Sequence, residues 1–235
     1  MIYRSLADIN IYDSPKLDRL ATQMAKGRYL QVIDAIDAAP SFHKIKLLED
    51  DYEGLLDRQD LAKLELSDRQ SFIDNLPPVL SAREISDRVP TVIAFIQQAM
   101  ATPNQYLWGG TVSPNYDCSG LMQAAFAASG IWIPRDAYQQ EAFGDRVSLD
   151  KIQIGDLIFF GTPVKATHVG IYIGNDEYIH SSGKESGHNG IAISELSGLD
   201  QVSQWYASQL RGAARITKCY IYSNARNSKN KSKPK

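Results

Sequence analysis

Asp117-Cys118-Ser119-Gly120-Leu121-Met122-Gln123-Ala124-Ala125-Phe126-Ala127-Ala128-Ser129-Gly130 is the stretch on which the fold of this chain turns. Leu121, Met122, Ala125 and Phe126 recur on one helical face, and Gly130 stands where a helix stops, so the spacing predicts a helix over 119–129. Cys118 then falls on its first turn. Unpaired amides and the positive end of the macrodipole favour an anion there, and Asp117 is placed to cap the helix or to bond the next loop. A thiol attacks only as thiolate, and its free pKa of about 8.5 falls at a helix N-terminus or beside an imidazolium. The pattern therefore predicts a nucleophilic Cys118 of lowered pKa. The competing reading is a buried free thiol packing as a small hydrophobe.

Downstream, Gly155–Gly161, Thr167–Gly174 and Glu177–Ser181 are short runs rich in Ile, Val, Phe and Tyr, bounded by Gly, Pro and Asn-Asp, as three strands of an antiparallel meander are. His168 opens the second and His180 closes the third. Antiparallel pairing brings the two imidazoles to one end of the sheet, across which a helix bearing Cys118 can pack. One imidazole then serves the thiol as base, and the other orients the first.

Four motifs in order, Tyr106-Leu107-Trp108-Gly109-Gly110, Asp117-Cys118-Ser119-Gly120-Leu121, Gly155-Asp156-Leu157-Ile158-Phe159-Phe160 and His168-Val169-Gly170-Ile171-Tyr172-Ile173-Gly174, resemble those of the NlpC-type papain-like cysteine peptidases. The resemblance runs from about Thr91 to about Tyr222. It implies an α+β fold, a papain-like catalytic domain whose Cys-bearing helix packs on an antiparallel sheet, and no cofactor. It also implies cleavage of the bond between the side-chain carboxyl of D-glutamate and a diamino acid in peptidoglycan peptides. By the same resemblance Cys118 is the nucleophile, His168 the base and acid, His180 the third polar group, and Tyr106 lies near the oxyanion. Asp117 and Ser119 face the substrate, and Arg135, beside Asp136, sits on the rim of the cleft. From the residues alone, Asp117 and Ser119 also read as helix caps, Arg135 as a solvated charge and Tyr106 as core. The oxyanion needs donors about 3 Å away, for which the Cys118 amide and the Tyr106 hydroxyl are candidates.

The first part of the chain reads differently. Arg28–Asp34, Phe42–Leu47 and Tyr52–Leu56 are strand-like pieces between polar turns, which predicts a small SH3-like β-barrel over 1–75. Lys44–Leu56 is similar to the end of a bacterial SH3-like domain, with Leu55 where an aromatic is usual. The acidic turn Asp50, Asp51, Tyr52 offers a seat for the free amine of a peptide, a solvated turn being the plainer reading. Residues 76–90, with Pro77, Pro78 and Pro90, read as a stiff linker. The catalytic domain, 91–222, opens with an amphipathic helix capped by Thr91, and Arg215–Tyr222 reads as an alternating strand holding Cys219. The tail 223–235 is basic and lacks core formers, which predicts disorder.

With 235 residues, 43% of them hydrophobic, and a net charge of -2, the chain gives no electrostatic argument for nucleic acid or an anionic polymer as partner. Two cysteines exclude a disulfide framework, and no metal-ligand spacing occurs. No export signal opens the sequence and no run approaches 18 apolar residues. The expectation is a cytoplasmic protein without membrane contact, acting on released L-Ala-γ-D-Glu-diamino acid peptides in cell-wall recycling. Two rivals are a wall-fragment sensor with an inert thiol, and a papain-like amidase or acyltransferase with another acyl substrate.

Overall fold

The computed structural model describes residues 1–34 and 41–222, so the expected disordered tail lies outside the described residues. The chain forms two compact units, Met1–Pro77 together with the chain from Tyr220, and Pro78–Cys219.

The first unit is built from β1 (Ile2–Ser5), β2 (Ile9–Tyr12), β3 (Leu20–Met24), β4 (Tyr29–Val32), β5 (Phe42–Leu47), β6 (Glu53–Asp57), β7 (Leu64–Ser67) and the short helix α1 (Arg69–Asp74). The strands form one antiparallel sheet in the order β3-β2-β6-β5-β4-β1-β7. Alternate residues turn inward, so Ile9, Ile11, Met24, Leu30, Val32, Ile45, Leu47 and Leu56 make its core. A second cluster joins Tyr29, Leu48, Phe72 and Tyr222, with Phe72 edge-on to both Tyr29 and Tyr222 at 5.4 Å between centroids. Burial of the Tyr222 ring thus returns residues 220–222 to the first unit, where the sequence suggested the catalytic domain.

The second unit begins with α2 (Ala82–Ala101). The expected linker over 76–90 is therefore helical in its second half. Ser81 caps this helix reciprocally with Glu84: the Ser81 amide donates to the Glu84 carboxylate at 2.8 Å and the Glu84 amide to the Ser81 hydroxyl at 3.3 Å. Pro90 lies inside the helix and costs it one backbone hydrogen bond. Burial of Ile85, Val92 and Ile96 on one face, against the helix that carries Cys118, outweighs that loss.

A two-residue hairpin, β8 (Thr111–Val112) and β9 (Asn115–Tyr116), leads into α3 (Cys118–Ala128), which matches the helix expected there, and Gly130 follows in the left-handed region at φ 75°. Then come α4 (Ala137–Phe143), β10 (Asp145–Val147), β11 (Leu157–Gly161), β12 (Ala166–Gly174), β13 (Glu177–Ser182), β14 (Gly190–Glu195), α5 (Gln201–Ala207) and β15 (Leu210–Arg215). The expected meander is β11-β12-β13, the centre of a six-stranded antiparallel sheet ordered β10-β15-β11-β12-β13-β14. The last strand ends at Arg215, and Cys219 packs beyond it against the core, so the alternation over 215–222 does not form a strand.

Both faces of this sheet are covered. Leu157, Phe159, Val169, Ile171 and Ile179 pack with α2 and α3, while Ile158, Phe160 and Tyr178 pack with Tyr206 of α5. Gly170 lets β12 and β13 close up, since a Cβ there would meet the Tyr178 ring at 2.7 Å and the Ile179 carbonyl at 2.9 Å. No described helix is long and apolar enough to cross a membrane.

Tyr222→Ala is expected to lower the stability of the first unit by about 3 kcal/mol, the low end for truncating a buried aromatic. Urea unfolding followed by a probe in that unit checks this. A midpoint equal to that of the unaltered protein would show that the returning segment contributes nothing.

Candidate active site

Asp117 is the N-cap of α3, and every one of its lone-pair directions is used. Its Oδ1 accepts from the Gly120 amide at 2.7 Å and its Oδ2 from the Gly109 amide at 2.8 Å, tying the helix start to the Tyr106–Gly110 loop. Arg135 adds a fork: Nη1 donates to Oδ1 at 3.1 Å and Nη2 to Oδ2 at 2.6 Å, while Nη1 also reaches the Ser119 hydroxyl at 2.8 Å. The Gln140 amide of α4 donates to the Ser119 carbonyl at 3.0 Å and to the Pro134 carbonyl at 2.9 Å. Arg135, expected as a rim charge, is only 2% exposed, and Asp117 and Ser119 are buried with it. All three brace the turn that carries Cys118. Gly120 is required there, because a Cβ would lie 2.0 Å from the Gly110 carbonyl oxygen.

The structure brings His168 and His180 together, and the helix α3 that carries Cys118 packs on β12, the strand that carries His168. The backbone N–H groups of Val169, the residue after His168, and of Ser119 favour a thiolate on Cys118. His168 projects from β12 and His180 from β13, and Nε2 of the first lies 2.7 Å from Nδ1 of the second. That leaves Nδ1 of His168 as the nitrogen uncommitted to His180. The Tyr206 ring stacks on His168 at 4.3 Å between centroids and 27° between planes, and stands edge-on to His180 at 4.9 Å. Phe160 lies against His168 on the same side.

Burial dominates the charge states. It pushes the Cys118 thiol up to about 12, seconded by the nearby Asp117 carboxylate, against the amides and Arg135, which favour thiolate. It pushes His168 down to about 3 and His180 well below the imidazole range. Burial thus favours the neutral thiol and the neutral imidazole, against the lowered thiol that the helix terminus suggested. Desolvation of a buried charge exceeds the help of one helix end. Moving the thiol proton to His168 creates two opposite charges that stabilise each other, which burial opposes less than either alone.

Tyr106 is half-buried, and burial raises its phenol, with Cys118 and Asp117 adding to the effect. It stays protonated and able to donate. In the first unit, Asp50 is already paired: Arg28 Nη2 lies 3.0 Å from its Oδ2, and its Oδ1 accepts from the Tyr52 amide at 3.2 Å. Asp51 accepts from the Tyr220 hydroxyl at 3.1 Å and lies 3.8 Å from Lys46 Nζ. Tyr206 and Ser194 also stand at the imidazole pair, where no local spacing marks them, and His188, eight residues from His180 and poorly spaced for a metal, stands there with them. Among the described residues no group of three or more His, Cys, Asp or Glu side chains is gathered as metal ligands would be.

Residues 103–210 match the NlpC/P60 family, and residues 11–61 match the bacterial dipeptidyl-peptidase Sh3 domain. The chain is 37% identical over 93 residues to the murein DD-endopeptidase MepS/murein LD-carboxypeptidase of Escherichia coli (strain K12), covering 39% of this chain and 47% of that protein. It is 44% identical over 79 residues to the gamma-D-glutamyl-L-lysine dipeptidyl-peptidase of Bacillus subtilis (strain 168), covering 32% of this chain and 27% of that one. The matches thus span about half or less of these relatives. A crystal structure of an NlpC/P60 family protein from Bacillus cereus ATCC 10987 superposes with a TM-score of 0.70 at 19% identity, covering 92% of this chain and 100% of that one, which shows the fold.

Arg135→Ala leaves a buried carboxylate uncompensated and is expected to cost about 3–5 kcal/mol. Chemical denaturation measures it. A loss below about 1 kcal/mol, the value of an exposed pair, would show that the ion pair is not the brace of the Cys118 turn.

Proposed function

We propose that this chain, which carries an NlpC/P60 domain and a bacterial dipeptidyl-peptidase Sh3 domain, is a cysteine endopeptidase. Its proposed substrates are peptidoglycan-derived peptides, cut between γ-D-glutamate and a diamino acid such as meso-diaminopimelate. The observation that carries the reading is the thiol at a helix start that packs on the strand of His168, whose Nε2 is held 2.7 Å from His180.

In this mechanism Cys118 Sγ attacks the γ-carbonyl carbon of D-glutamate as its proton passes to His168. The oxyanion is held by the Cys118 amide and the Tyr106 hydroxyl. Collapse of the tetrahedral intermediate breaks the C–N bond, and His168 gives its proton to the departing amine of the diamino acid. A water then enters, loses a proton to His168 and attacks the thioester carbonyl, releasing γ-D-glutamate's free carboxyl and restoring the thiol. His180 orients His168 throughout, and the Tyr206 ring shields that pair from water.

The choice of bond is supported by the name of the Bacillus subtilis relative, a gamma-D-glutamyl-L-lysine dipeptidyl-peptidase. A preference for a free N-terminal L-Ala is supported by that name and by the type of the Sh3 domain. Such a preference rejects acylated peptides, as those attached to muramic acid are, because a seat built for an ammonium would lose its charged partner. The substrate is then a released fragment, consistent with wall-peptide recycling. The Escherichia coli relative's name points to other stem-peptide bonds.

The deciding assay compares free L-Ala-γ-D-Glu-diaminopimelate, its N-acetylated form and intact sacculi, with products weighed by mass spectrometry. The free tripeptide is expected to be cut at the γ-D-glutamyl bond with kcat/KM at least about a hundredfold above the acetylated form. Cys118→Ala should lose roughly a million-fold in kcat, as nucleophile deletions do. Equal kcat/KM for the two peptides would overturn the free-amine preference, and cleavage at another bond would overturn the bond assignment. Retained turnover in Cys118→Ala would overturn the mechanism, whereas binding without turnover would mark a sensor.

A further inference from the structure

The hydrogen-bonded line through the imidazoles does not end at His180. His180 Nε2 lies 3.0 Å from Ser194 Oγ, and the same oxygen lies 3.0 Å from Nε2 of His188. Ser194, on β14, is 5% exposed and sits diagonally across from His180, whose direct partner in the register is Ala192. His188 stands on the loop before β14, exposed, with its ring edge-on to His180 at 5.5 Å between centroids. Four side chains therefore run without a gap from the thiol's neighbour to the surface.

Counting protons gives this line a direction. A neutral imidazole has one N–H and one bare nitrogen, and a hydroxyl has one proton to give. If His168 is to take the thiol proton on Nδ1, that nitrogen must be bare, so its proton sits on Nε2 and is donated to His180 Nδ1. His180 must then carry its own proton on Nε2 and donate it to Ser194. Ser194 in turn donates outward, and a bare Nε2 on His188, 3.0 Å away, is placed to accept. Reversing every bond is also self-consistent, but it puts the His168 proton on Nδ1, where it cannot act as base. The choice between the two lines is set by the Cys118–His168 mechanism, which requires a bare Nδ1 on His168. In that line His188 carries its proton on Nδ1 and accepts from Ser194 through Nε2.

We propose that Ser194 and His188 are positioning residues that fix the tautomer of His168 through His180, holding the Nδ1 of His168 bare toward Cys118. The inference rests on the Cys118–His168 mechanism above and adds to it the part of the site that keeps the base in its reactive form. His180 then stands where a carboxylate stands behind other catalytic imidazoles, and Ser194 orients His180 in turn without taking its proton.

The test joins kinetics to a readout of tautomers. The chain has four histidines, so ring nitrogen signals are assignable in ¹⁵N-labelled protein one His→Gln variant at a time. The free protein is expected to show His168 protonated on Nε2. Ser194→Ala should mix the two tautomers and lower kcat by about ten- to a hundredfold, the usual effect of removing a partner that orients an imidazole, with KM little changed. Ser194→Thr keeps the hydroxyl and should recover most of the loss, and His188→Ala should show a smaller drop of the same kind. Near-ultraviolet circular dichroism identifies any variant that fails to fold, and the wild-type ring spectrum decides the question in that case. A His168 protonated on Nδ1 in the wild type, or unaltered kcat and ring shifts in Ser194→Ala, overturns the proposal. If the wild type cleaves no γ-D-glutamyl peptide, the substrate reading fails while the ring shifts still decide on the relay.

Discussion

The ion pair between Asp117 and Arg135, buried under the first turn of α3, is the constraint on which the site depends. A carboxylate at that depth is tolerated because it takes two backbone amides and a two-pronged guanidinium at once. These partners come from three different pieces of chain: the loop at Gly109, the helix itself and the segment before α4. Satisfying one charge therefore fixes three backbone segments around Cys118. The close approach of Gly120 to Gly110 belongs to the same arrangement.

Burial has the opposite consequence for the reacting groups. Cys118 and His168 are held neutral by the same desolvation that makes the Asp117 pair rigid. A neutral resting pair protects the thiol from stray electrophiles and ties its activation to the moment of proton transfer, when the two charges form together. Such a pair demands an imidazole with its proton on the correct nitrogen, because no charge is present to correct it. The stacked Tyr206 ring and the run of hydrogen bonds beyond His180 meet that demand.

Much of this was legible in the sequence, and the reasons are local. The α3 helix announced itself by period and by Gly130, and the strands β11, β12 and β13 by β-branched and aromatic runs between glycines. The meeting of His168 with His180 followed from antiparallel pairing alone. What escaped depends on distant contacts. Arg135 follows a proline in a loop and reads as solvated until its carboxylate partner is placed beside it. Pro90 masked a helix whose start is set by Ser81 and Glu84. Tyr222 looks like a strand residue and is drawn instead to Phe72. Ser194, His188 and Tyr206 have no sequence signal, because their meaning comes only from the imidazoles they touch.

The central claim is that Cys118 attacks a γ-D-glutamyl carbonyl. Rapid quenching of the protein with L-Ala-γ-D-Glu-diaminopimelate in acid, followed by peptide mapping, tests it most directly. The account predicts an L-Ala-D-Glu acyl group in thioester linkage on Cys118 and none on Cys219. Turnover of the peptide with no acyl group on Cys118, or with the group on another residue, would contradict it.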